Sequence, residues 1–169
     1  MRTFMVVAAI LMVMAWVSVN PAGDRKMRGF ALQLVPSQNA IQPGVATWKV
    51  GAAAFVLVMM INNSNRTVHY SLTNPGFDWE MDVRDGAGNP VPESQALRKM
   101  KQDAQKVLIS GRNILGTLKP HETAQDTVEV SCFYDLSRPG KYSIQVQRVF
   151  SDVGKEFVQS NRLERTIEP

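Results

Sequence analysis

Between Phe77 and Val83, apolar side chains occupy every second position (Phe77, Trp79, Met81 and Val83), and acids fill the gaps. A period of two sends the two sets to opposite sides of an extended chain, so the stretch to Arg84 predicts a half-buried strand with those four residues facing a core. The same rhythm runs through Tyr142, Ile144 and Val146 and, earlier, through Phe30, Leu32 and Leu34 in a strand that Pro36 ends. Further strands are predicted at 45–50, 52–61, 67–72, 114–118, 127–130, 141–150 and 156–167. The segments between them are rich in residues that preset or release φ: Gly51, Asn62–Asn65, Asn74-Pro75-Gly76, Asp85–Asn89 and Pro139-Gly140. Pro90-Val91-Pro92 reads as extended but outside any central ladder, because two of its residues lack an N–H. Seven to nine short strands between turns predict an all-β fold, an antiparallel sandwich of two sheets.

One segment has a different period. Between Glu93 and Leu108, Leu97, Met100, Ala104 and Val107 recur at spacings of three and four, with Ser94 ahead of them and Gly111 beyond. This predicts one short helix, capped by Ser94, with Arg98, Lys99, Lys101 and Lys106 on a solvated side. The run from Ala52 to Ile61 has no period at all, since every residue is apolar. As a strand it sends Phe55, Leu57, Met59 and Ile61 to one side and Ala54, Val56, Val58 and Met60 to the other, while a two-layer sandwich has one core. The second face therefore needs a cover. The 93–108 segment is an internal one; otherwise Val56, Val58 and Met60 form an interaction face for a protein partner or a second copy of the chain.

With 44% hydrophobic residues in 169, the chain can bury a single core. The net charge of +4, from 19 basic and 15 acidic residues, is too balanced to argue for nucleic acid. Behind Arg2, the uncharged run from Phe4 to Val17 matches the start of a secretory signal and is shorter than the roughly 20 residues of a membrane span. The expected division is a leader at 1–22, a basic linker at 23–28 and a sandwich at 29–169, in an extracytoplasmic setting, periplasmic or secreted. The alternative is an uncleaved anchor over 4–19, which would be the chain's only membrane contact. Cys132 is the lone cysteine, so packing replaces disulfides; between Phe133 and the nearby Val130 its thiol is expected to be a small core group.

Read together, Val50-Gly51, Asn62-Asn63-Ser64, the stretch from Asp82 to Pro92, Leu118-Lys119-Pro120-His121-Glu122, Tyr134 to Tyr142 and Ser160-Asn161 resemble the small immunoglobulin-like domains of exported bacterial proteins. More distantly they resemble the non-catalytic sandwich domain of deuterolysin-type zinc peptidases. The likeness covers about residues 29 to 169. It implies an immunoglobulin-like fold and is almost silent on activity. Such domains usually read Pro-Gly-Glu where this chain has Pro120-His121-Glu122. The turn at Pro139-Gly140 leads to Tyr142, whose ring is expected to pack inward while its hydroxyl bonds nearby backbone, as in a tyrosine corner.

The candidate chemistry is thin. His121-Glu122-Thr123-Ala124-Gln125 has the outline of a zinc-protease motif, but Gln125 replaces the second histidine and Pro120 opposes a helix. A blue-copper loop is excluded because both histidines precede Cys132 and no methionine follows it. Met59, Met60, His69 and Met81 would make a thioether-rich copper(I) site if their strands adjoin. Asp78, Glu80, Asp82 and Asp85 form an acidic ladder, read as exposed and paired with lysines rather than as a calcium site. The sequons Asn62-Asn63-Ser64 and Asn65-Arg66-Thr67 fall in a turn. The expectation is an exported, non-enzymatic binding or structural module that needs no cofactor. The alternatives are a peptidase inhibitor or accessory domain, presenting a loop such as Pro75-Gly76 or Gly86–Pro92, and a copper(I)-binding periplasmic protein.

Overall fold

The computed structural model describes residues 29–37, 47–103, 114–155 and 157–169; the expected leader, the linker, the first two residues of the expected 45–50 strand and residues 104–108 of the expected helix lie outside them. The strands are β1 (Phe30–Pro36), β2 (Trp48–Lys49), β3 (Phe55–Asn62), β4 (Val68–Leu72), β5 (Glu80–Asp85), β6 (Ile114–Leu118), β7 (Thr123–Glu129), β8 (Gly140–Val149), β9 (Phe157–Gln159) and β10 (Leu163–Glu168). Among the described residues three short helices interrupt them: α1 (Pro75–Asp78), α2 (Gln95–Gln102) and α3 (Val130–Phe133).

One sheet has the order β1-β3-β7 and a second the order β2-β10-β8-β5, with β9 also on β8; β4 and β6 form a two-stranded ribbon. This is an immunoglobulin-like sandwich, mostly antiparallel, with one parallel pair where β2 joins β10. Its core is filled by alternate residues of both sheets: Phe30, Leu32 and Leu34 of β1, Val56, Val58 and Met60 of β3, and Tyr142, Ile144 and Val146 of β8.

Val56, Val58 and Met60 are therefore no surface. Each is 0% exposed, because Val58 stands opposite Leu34 on one side and Asp126 on the other, on the side of β3 that faces the second sheet. The face turned away from the core is the other one, where Leu57 is buried and Phe55, Met59 and Ile61 are half-buried. The α2 helix forms behind the Ser94 cap, whose hydroxyl accepts the Leu97 N–H. It packs against α3 and buries Leu97.

Three local readings change. Asn74-Pro75-Gly76 opens α1 rather than a turn, because the Asn74 side chain caps the Gly76 N–H and Pro75 fills the first helical position. Phe77 accordingly leaves the strand. Val130 ends no strand; α3 begins there, and its turn points Val130 and Phe133 inward and Cys132 out to solvent. The predicted strand at 156–167 is split into β9 and β10. Between them Gln145 and Val146 of β8 face three residues, Ser160, Asn161 and Arg162, which is a β-bulge.

The bulge has a use. It throws Asn161 across to β1, where its Oδ1 accepts the Leu34 N–H (2.7 Å) and its Nδ2 donates to the Leu34 carbonyl (3.2 Å). A side chain thus replaces a neighbouring strand at that edge and ties the two sheets. Pro36, two residues on, has the same parity as Leu34, so its missing N–H costs β1 no ladder bond.

Candidate functional site

Several of the sequence motifs singled out for chemistry prove to be fixed points of the framework. Asn62 is 0% exposed. Its Nδ2 donates to the carbonyls of Arg66 (2.7 Å), Leu118 (3.0 Å) and Lys119 (3.0 Å), and its Oδ1 accepts the Ser64 N–H and hydroxyl. One amide pins the β3–β4 turn to the β6–β7 turn. The first sequon is thereby closed to modification in the folded protein, whereas Asn65 of the second is exposed.

His121 sits in the β6–β7 turn with φ +65°. Lys119 O accepts the Glu122 N–H (3.1 Å), and with Pro120 at the second position this is a type II turn whose third position favours glycine. His121→Gly should therefore raise stability by about 1 kcal/mol, seen as a higher urea midpoint; a lower midpoint would refute the assignment.

In place of the expected Pro139-Gly140 turn, Pro139 runs straight into β8, which opens on Gly140 at φ +150°. Tyr142 is buried, and its hydroxyl donates to the Arg138 carbonyl at 2.8 Å. The acids from Asp78 to Asp85 separate in role. Asp78 is buried in α1, and Asp85 folds its own turn by accepting the N–H groups of Ala87 and Asn89. Asp82 lies between Arg84 and Arg162 rather than lysines. Burial raises its pKa, but the hydrogen bonds from those two arginines outweigh this and hold the carboxyl below its ordinary value.

The copper set does not converge. Met59 and Met60 point to opposite faces of β3, and Met60 is enclosed, while His69 is exposed with its Nδ1 against Asp152 at 2.8 Å. Among the described residues no group of three His, Cys, Asp or Glu side chains is placed to hold a metal. The loops proposed for an inhibitor are equally occupied. A Cβ on Gly76 would meet Phe133 and Met100, and the turn at 86–89 curls back on Asp85, offering no extended backbone to a cleft. Desolvation, followed by the hydrogen bond and charge of Glu129, pushes the exposed Cys132 thiol up, away from nucleophilic use.

Two arrangements lay beyond the reach of sequence reasoning. One is a charged cluster between the layers. Arg148 of β8 donates to the Ser71 carbonyl (2.6 Å), has Nη1 3.4 Å from Asp78, and lies over the rings of Trp79 and Phe150 at 5.5 and 5.4 Å. Trp79 in turn donates its Nε1–H to Asp126 at 2.7 Å. The other is apolar and outward: Leu115 of β6 is 79% exposed, and Phe157 (53%) stands directly opposite Val149 (39%) on the β8–β9 pair.

No protein-family model matches the chain, and no curated protein matches it. Among solved structures it is similar to an ASH/PapD-like domain of human CEP192 (PapD-like domain 7), at 11% identity, covering 98% of this chain and 94% of that one, with a TM-score of 0.30. The sandwich assignment stands on the sheets themselves, and the resemblance to the deuterolysin domain finds no support in these comparisons.

Proposed function

We propose that the protein is an exported sandwich module without a chemical step of its own, which holds another protein of the same compartment through its surface. The apolar run behind Arg2 supports the export. The observation that carries the binding reading is the set of apolar side chains left in water on the β8–β9 and β4–β6 pairs. Phe157 and Val149 form one contiguous pair and Leu115 stands on a second strand pair; contiguous exposed apolar groups have a cost in solubility that a partner removes. The buried Asn62, Asp78 and Ser160, by contrast, are engaged in holding strands and turns.

Phe157→Asp and Leu115→Asp test this. Purified wild-type protein should retain a partner from an envelope extract, and the variants should release it while melting at the wild-type temperature. Equal retention by all three, or none by the wild type, would overturn the reading. Mass analysis of the exported protein tests the leader, which should be missing up to about residue 22; a full-length mass would point to the anchor instead.

A further inference from the structure

The cluster beneath β7 has an unequal charge count. Asp78 of α1, Asp126 of β7 and Arg148 of β8 bring two carboxylates to one guanidinium, and the remaining walls are the rings of Trp79 and Phe150. The two acids are not equally served. Asp78 accepts the Thr73 N–H (2.6 Å) and hydroxyl (3.1 Å) and has Arg148 beside it. Asp126 has the Trp79 indole N–H and the backbone of Thr127. It also stands on the core side of its strand, opposite the fully buried Val58. Asp78 and Arg148 are charged side chains that act on it. With all three groups ionised, the cluster holds an uncompensated negative charge between a buried Asp78 and a half-buried Asp126, and Asp126 is where a proton removes it at least cost.

We propose that Asp126 is a proton-operated latch between the two layers. With its proton, the cluster is neutral and β7 is held firmly against Trp79; without it, the stranded charge loosens β7, which among the described residues is the last strand of its sheet. A protonated carboxyl still offers its carbonyl oxygen to the indole, so the Trp79 bond survives the change. Burial, with Asp78 adding to it, raises the Asp126 pKa above 3.8, against the opposing hydrogen bond of Trp79. The sign follows from that direction. A carboxyl whose folded pKa is raised contributes stability that is complete below the unfolded value and is lost as pH rises through the folded value.

The test needs no ligand. In the purified protein, the Trp79 indole N–H resonance, told from that of Trp48 by Trp48→Phe, should move with pH through an inflection above 3.8. Asp126→Asn should abolish that inflection. The same variant should melt above the wild type at pH 7, with the gap closing as pH falls. Absence of the inflection, an inflection at or below the ordinary carboxylate value, or a gap independent of pH would each overturn the proposal. The resonance is read on the wild type, so it decides the matter even if Asp126→Asn fails to fold.

Discussion

Asn62→Asp should cost about 4 kcal/mol or more, enough to remove most of the stability of an ordinary domain. The reason lies in the direction of every bond that the side chain makes. Three carbonyl oxygens, from Arg66, Leu118 and Lys119, converge on Nδ2, and the Ser64 donors converge on Oδ1. Aspartate keeps the second set and inverts the first, so a carboxylate oxygen would face three acceptors at a site with no solvent exposure. Asn62→Ala leaves the same carbonyls unpaired without adding a charge, and should cost less, about 3 kcal/mol. Urea unfolding followed by circular dichroism gives the order directly. Aspartate less harmful than alanine would mean that water or a backbone shift takes over the three carbonyls.

That hub shows where a single sequence is readable and where it is not. β1 was legible to the residue, because alternation, Pro36 and the approach of a loop all agree. The Ser94 cap and α2 were legible for the same reason. Asn62-Asn63-Ser64 was legible only as a turn, since whether an asparagine points to water or gathers carbonyls from a turn 56 residues away depends on which hairpins stack. The uniform run in β3 predicted a second apolar face correctly but could not say which side met the core. With no polar residue to mark it, the choice rests on the register with β1 and β7. Asn74-Pro75 carried a helix-start signal that competed with Pro75-Gly76 as a turn, and capping won. Arg148 and Asp126 sit on alternating strands where a charge normally faces water. Their inward positions become intelligible only once α1 brings Asp78 beneath them.

Arg148→Met should destabilise the sandwich by about 3 kcal/mol at pH 7. The arginine side chain is 17% exposed and that of Asp78 is 5% exposed, so neither charge is screened as a surface pair would be. Methionine keeps the contacts with Trp79 and Phe150 and removes the cation, leaving the buried Asp78 and the half-buried Asp126 carboxylates to repel each other. The effect should depend on pH in a definite sense. Burial, with Asp78 adding to it, raises the pKa of Asp126, while the Trp79 and Thr127 hydrogen bonds and the Arg148 charge lower it; without the guanidinium one lowering cause is gone, and the folded variant binds a proton more tightly than the wild type. Acidification from pH 7 towards 5 should therefore return part of the loss, measured as the difference in melting temperature between variant and wild type at each pH. Adding Asp78→Asn should return another part, since it removes the charge that lost its partner, and the double variant should lose less than the sum of the two single losses. A loss under 1 kcal/mol, or one unchanged by both acid and Asp78→Asn, would mean that Arg148 acts by stacking on the two rings rather than by its charge.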